Sequence, residues 1–161
     1  MLIYIVRHGL TEWNKLKKLQ GAADVPLAKE GVLLAEKTGE ALRNVMFDIC
    51  FTSPLSRAKQ TAEYVLGKRD VPIIPDKRIQ EIDFGVLEGD QVRDADGNYI
   101  DPQIETFFRD PVNFKRPEKG EDIFDVIART KDFWDEKIRL LRIKQFLLPL
   151  MDVQSVLFFK M

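Results

Sequence analysis

Residues 2–9 read LIYIVRHG: five apolar or aromatic residues, three of them β-branched, run directly into Arg7, His8 and Gly9. A short run of this kind fits a strand covered on both faces, as in parallel sheets carrying helices on either side. In such sheets functional groups gather in the loops at the carboxyl ends of the strands. Arg7 and His8 stand at such an end, and His8 is the only histidine among 161 residues.

Outward from this strand, helix and strand signals alternate. From Lys29 to Val45, apolar or small side chains at Leu34, Ala35, Thr38, Ala41, Leu42 and Val45 follow the spacing of one helical face. Met46–Phe51 reads as a second buried strand. Ser53 and Pro54 then form an N-cap and first-turn pair, and Gly67 closes the segment, so a helix is expected over Pro54–Leu66. Val71–Ile74 is a third short strand. This order predicts an α/β fold, a single domain over 1–161 with a mainly parallel sheet flanked by helices. Further on, Asp96 and Gly97 mark a turn, Ile104–Pro111 a short helix, and a longer helix starts at Glu121, its apolar face running from Ile123 through Val126, Ile127, Thr130, Phe133, Trp134 and Ile138 to Leu141.

Composition removes several classes of function. Twenty-five basic residues against twenty-six acidic ones give a net charge of −1, so no field of the whole protein draws it to nucleic acid or to an anionic membrane. The basic run Lys15–Lys18 has no interleaved stacking aromatics and reads as a solvated surface. The apolar tail Phe146–Phe159 is interrupted by Pro149, Asp152 and Gln154 and is a poor membrane span. Met1–Val6 lacks the basic leader and length of a signal peptide. One cysteine, Cys50, forms neither an internal disulfide nor a thiolate cluster, which suits a reducing, cytoplasmic compartment. A calcium loop around Gly97 fails because Val92 would be its first ligand. No metal and no cofactor are expected.

Three loops at three successive strand ends carry arginine, asparagine, histidine and glutamate, a convergence that core packing does not explain. The set suits phosphoryl transfer, where positioning and cations around the transferring oxygens supply most of the barrier reduction. Arg7 and Arg57 offer planar forks matched to phosphate, and Arg57 falls in the first turn of its expected helix, where unpaired amides also favour an anion. Asn14 offers an amide donor. His8 reads as the nucleophile and Glu81 as the proton donor to the leaving alkoxide.

These motifs resemble those of the histidine phosphatase superfamily, which includes cofactor-dependent phosphoglycerate mutases and related phosphatases. The resemblance runs from Leu2 to about Lys137. It implies a phosphoglycerate mutase-like three-layer α/β/α fold, a phospho-accepting histidine in the Arg7-His8-Gly9 motif, and the Thr11, Trp13 and Asn14 that follow it. Leu19–Gly31 resembles the next phosphate-contacting loop, which implies that Gln20 and Gly21 line the pocket. Thr52–Ala62 is similar to the segment supplying the second arginine, Arg57, and Glu81–Gly89 to the one supplying the acid, Glu81. The implied ligand is a small phosphorylated metabolite or inorganic phosphate. The phosphatase branch fits better than the mutase branch, because Glu81 is followed by Ile82-Asp83-Phe84-Gly85; the alternatives are mutase activity and a phosphate-binding relic that does not turn over. Phe107, Phe108, Arg109, Phe114 and Lys115 resemble a segment covering the pocket.

Three departures stand against these matches. Leu10 replaces the usual acidic or amide residue, and Ala22 an arginine common in the phosphatase branch. The family's second catalytic histidine, expected in a late His-Gly motif after a final strand, has no counterpart, since no histidine follows His8. Val153–Phe159 reads like that final strand, and Lys160 is the cation nearest in sequence to the missing group.

Overall fold

A computed structural model describes residues 2–138 and 155–160. Its elements are β1 (Leu2–Arg7), α1 (Glu12–Lys15), α2 (Lys29–Ala41), β2 (Ile49–Thr52), α3 (Ser56–Leu66), β3 (Ile73–Pro75), α4 (Pro102–Arg109), α5 (Ile123–Phe133) and β4 (Ser155–Lys160). The sheet has the order β1-β4-β2-β3. β2 and β3 pair in parallel, while β4 lies antiparallel between β1 and β2. β1, β2 and β3 therefore share one direction, and the register of Arg7 with Ser155, Val156 with Thr52 and Thr52 with Pro75 brings their carboxyl ends to one edge.

Alternate strand residues feed opposite faces, as a period of two requires. Tyr4, Val6 and Cys50 pack with Ala35, Phe47, Ala58, Ala62, Val65 and Leu66 under α2 and α3. Ile5, Ile49 and Phe51 pack with Ile79, Phe133 and Trp134 on the other face. The sheet is thus covered on both sides, giving the three layers that the apolar run of β1 implies. A further cluster of Leu19, Ile82, Phe84, Leu87, Ile104 and Phe114 carries the loops beyond the strand ends.

Several boundaries differ from expectation. The second strand begins at Ile49, not Met46, and the third spans Ile73–Pro75. α2 ends at Ala41, with Leu42 as its C-cap, so Val45 lies beyond it. Its inward face also differs: Leu34 is 58% exposed, whereas Gly31 and Ala35 are buried. Backbone approach decides this rotation. A Cβ at Gly31 would sit 2.2 Å from the Leu10 carbonyl oxygen, and one at Gly39 would sit 2.6 Å from that of Val65. The small residues at 31, 35 and 39 form one stripe of the helix, which lets the chain after β1 and helix α3 approach closely. α3 starts at Ser56 rather than Pro54, and its first amide is capped from a distant loop by Asp24. Gly67 closes it with φ of 58°. The long helix begins at Ile123, capped by Asp122, and turns into a wider π turn over Trp134–Ile138; Ile127 faces outward, and Leu141 lies outside the described residues.

β4 carries the largest topological correction. Because it runs antiparallel, its end at Lys160 pairs with Leu2, at the sheet edge opposite to Arg7. Position 160 therefore lies at the end of the sheet away from Arg7 and His8. Among the described residues no helix is long and apolar enough to cross a membrane.

The close approach of α2 to the loop after β1 makes a direct prediction. Gly31→Ala places a methyl group against immovable backbone and should lower unfolding stability by about 1–3 kcal/mol. Glu36→Ala, on the exposed side of the same helix, should stay within about 0.5 kcal/mol. Urea denaturation of both variants checks this, and equal midpoints would contradict the packing.

Candidate active site

The site is built where β1, β2 and β3 end. β1 delivers Arg7 and His8, the first turn of α3, which follows β2, delivers Arg57, and the irregular segment after β3 delivers Glu81. Gly9 fixes the first of these. Its amide donates to Thr61 Oγ1 of α3 at 3.0 Å, the Thr61 hydroxyl donates to the Arg57 carbonyl at 2.7 Å, and a Cβ at Gly9 would collide with Gly31. One threonine thus ties the histidine loop to the helix that carries Arg57.

His8 is 6% exposed. Its Nδ1 donates to the Gly9 carbonyl at 2.5 Å, and its buried Nε2 has no hydrogen-bond partner among the described residues. A nitrogen facing a carbonyl must carry the proton, so the lone pair lies on Nε2. Burial holds the imidazole down, to about 3 from the usual 6.5; the Gly9 carbonyl pulls upward, and the positive charges of Arg57 and then Arg7 push down again. At neutral pH the ring is an uncharged base with an unengaged lone pair.

Arg57 has no exposed surface. Its guanidinium donates to the carbonyls of Ala23 at 2.6 Å and Gly21 at 2.5 Å. Burial lowers it to about 10, while the carboxylates of Glu81, Glu88 and Asp24 oppose that shift, so it stays charged at neutral pH. The loop it grips is clamped from the other side. Glu88 accepts from the amides of Ala22 and Ala23, both at 2.6 Å, and from Phe84 at 3.1 Å. Asp24 accepts from the amide and hydroxyl of Ser56 at 2.7 and 2.9 Å, placing a carboxylate at the start of α3. Gly21 touches the acid segment itself, since a Cβ there would lie 2.2 Å from the Ile82 carbonyl oxygen.

Asn14 and Gln20 are oriented through Thr11. The Thr11 hydroxyl donates to Gln20 Oε1 at 2.6 Å, and the Thr11 amide donates to Asn14 Oδ1 at 3.0 Å. With its oxygen so engaged, Asn14 offers its Nδ2 amide as donor. Arg7, Asn14, Gln20 and Glu81 all line one cavity of about 260 Å³, whose other walls are Lys18, Leu19, Phe84, Val92, Phe107 and Phe108. Of the expected covering residues, Phe107 and Phe108 line it. Phe114 is instead a core residue at 2% exposure, and Arg109 reaches outward to Glu105 and over the Tyr99 ring. Among the described residues no group of three or more histidine, cysteine, aspartate or glutamate side chains is placed to hold a metal ion.

A family model described as histidine phosphatase superfamily (branch 1) matches residues 3–148. The chain belongs to that superfamily. Within this histidine phosphatase family it is 39% identical over 107 residues to an uncharacterized phosphatase, PhoE, of Bacillus subtilis, covering 65% of this chain and 55% of the relative. It is 35% identical over 133 residues to a 2,3-bisphosphoglycerate-dependent phosphoglycerate mutase of a Methylobacterium species, covering 80% and 63%. The chain thus spans little more than half to under two thirds of these curated relatives. Among solved structures it resembles YhfR of Bacillus stearothermophilus, with a TM-score of 0.71 and 33% identity over 86% of this chain and 70% of that one. It also resembles a putative alpha-ribazole-5'-P phosphatase of Escherichia coli, with a TM-score of 0.75 and 26% identity over 91% and 71%. The phosphoglycerate mutase-like fold is the one the sequence motifs imply.

Thr61, Glu88 and Asp24 escaped the sequence reading. Each works by bonding backbone far away in sequence, and no local spacing signals such a partner. The depressed imidazole makes a testable claim about stability. The unfolded chain takes up the His8 proton near pH 6.5, the folded chain only near 3. Stabilisation from the neutral ring is therefore complete above pH 6.5 and is lost as pH falls toward 3, at up to about 1.4 kcal/mol per pH unit. His8→Asn should flatten the stability profile between pH 6.5 and 4 relative to the native chain in urea unfolding. Parallel profiles would contradict the burial of a neutral imidazole.

Proposed function

We propose that the chain carries out phosphomonoester hydrolysis through a phosphohistidine at His8, as a phosphatase rather than a mutase. The observation that carries this reading is the unpartnered Nε2 of a neutral, buried histidine beside two arginine charges. In the proposed reaction Nε2 attacks phosphorus in line, the P–O ester bond breaks, and the leaving alkoxide takes the proton of the Glu81 carboxyl. Water then attacks the phosphohistidine, Glu81 accepts its proton, and inorganic phosphate leaves. Arg7, Arg57, Asn14, Gln20 and the backbone around Gly9 and Gly21 hold the phosphoryl oxygens.

The composition of the cavity supports the phosphatase reading. A mutase must also hold the carboxylate of its substrate, which calls for added cations. Among the described residues, the cavity wall carries one cation beyond Arg7, Lys18; besides Asn14, Gln20 and Glu81 its other walls are the apolar Leu19, Phe84, Val92, Phe107 and Phe108. The substrate class is a small phosphorylated metabolite, with inorganic phosphate as product ligand.

The chain has no second histidine to share the charge on the transferring group. Losing one preorganised donor of this type costs on the order of a hundredfold to a thousandfold in rate, or about 3 kcal/mol. Turnover should therefore be slow while phosphate binding persists. That same absence favours the alternative of a phosphate-binding relic, and one experiment separates the two. The chain is incubated with a labelled phosphate ester and quenched in alkali, where phosphohistidine survives. Label on His8, absent from His8→Ala, is expected; slow turnover unchanged in His8→Ala would overturn the mechanism. Raised melting temperature in phosphate, lost in Arg57→Ala, with no label from any ester, would leave the relic.

A further inference from the structure

We infer that Arg129, on α5, is a positioning residue that sets the Glu81 carboxyl against the leaving group, and this rests on the function proposed above. The segment carrying Glu81 has little regular structure to hold its shape. Its amides at Ile82, Asp83, Phe84 and Gly85 are bonded by carboxylates, those of Glu81, Glu121, Glu88 and Asp83 respectively. Its carbonyls converge on one guanidinium. Arg129 donates from Nη1 to the carbonyls of Arg78 at 2.9 Å and Gln80 at 2.6 Å, and from Nη2 to that of Glu81 at 3.1 Å. The remaining donors form a forked pair with Glu121, Nε to Oε1 at 2.8 Å and Nη2 to Oε2 at 2.9 Å.

Arginine has five N–H donors in a rigid fork, and here all five are engaged. Glu121 completes the clamp, since its Oε2 accepts from the Asp83 amide at 3.1 Å and its own amide donates to the Asp83 carbonyl at 2.7 Å. One ion pair therefore fixes the backbone on both sides of Glu81, a residue that lines the cavity with Arg7 and Asn14. A lysine keeps the charge at this site but has neither the donors nor the fork to hold three carbonyls and a carboxylate at once. Because a general acid works only within hydrogen-bond reach of the leaving oxygen, a looser clamp should weaken proton donation without touching the nucleophile.

The test measures single-turnover labelling of His8 by an aryl ester, p-nitrophenyl phosphate, and an alkyl ester, glycerol phosphate. The aryl leaving group needs little protonation, the alkyl one a great deal. Arg129→Lys should slow labelling by the alkyl ester on the order of tenfold and leave the aryl rate nearly unchanged. In a Glu81→Gln background Arg129→Lys should add no further selective loss, as expected of a residue acting through Glu81. Arg69→Met is the structural control. Arg69 also binds several carbonyls, those of Leu42, Val45, Val65 and Leu66, but away from the site. It should lower stability without distinguishing the esters. If Arg129→Lys does not fold, Glu121→Gln, which removes one charge from the clamp, should show the same selectivity. Equal slowing of both esters, selective loss that persists in Glu81→Gln, or the same pattern in Arg69→Met overturns the positioning role alone. A native chain that takes no label from either ester overturns the proposed function and this role with it.

Discussion

A guanidinium with no exposed surface stands at the centre of this molecule. A charge so placed survives only if its donors are bonded and opposite charge lies near. Arg57 meets the first condition with the carbonyls of Gly21 and Ala23, and the second with Glu81, Glu88 and Asp24. Each of those partners has a second attachment. Glu88 grips the amides of the loop that Arg57 holds, Asp24 caps the helix that carries Arg57, and Glu81 belongs to the segment against which Gly21 packs. Loops from three strand ends are drawn together by a single buried cation, and His8, tied to the same helix through Gly9 and Thr61, lies within its field.

This arrangement accounts for the state of the histidine. Burial beside positive charge keeps the ring neutral, and the Gly9 carbonyl selects which nitrogen holds the proton. The arginine charges proposed to hold an anionic ligand are thus also ones that keep the imidazole unprotonated. The two-sided sheet supplies the rigidity: side chains of β1 and β2 alternate between the cores under α2 and α3 and under α5, so the strand ends cannot slip without exposing one core.

Much of the site was legible in the sequence because its residues sit at strand ends, where composition changes abruptly from apolar to charged. Arg7, His8, Asn14 and Glu81 were readable in this way and Gln20 only through the family resemblance; the cavity brings Arg7, Asn14, Gln20 and Glu81 together, whereas His8 and Arg57 do not line it. The inward face of α2 was legible only in part: apolar spacing marks Ala35 correctly but also points to the exposed Leu34, whereas backbone proximity selects Gly31. Strand direction was equally hidden. Ser155–Lys160 has the composition of any buried strand, and only pairing shows that it runs antiparallel and carries Lys160 away from the site. Nothing local in the sequence marks Arg129, because its partners are carbonyls about fifty residues away.

The central proposal is that His8 is a neutral imidazole whose Nε2 lone pair engages a phosphoryl group. With one histidine in the chain, nitrogen-15 NMR of histidine-labelled protein reads this without ambiguity. At pH 7 the account predicts a protonated Nδ1 and an unprotonated Nε2, with the Nε2 resonance shifting when vanadate or phosphate is added. A ring protonated on Nε2, an imidazolium, or an Nε2 signal indifferent to these anions would contradict it.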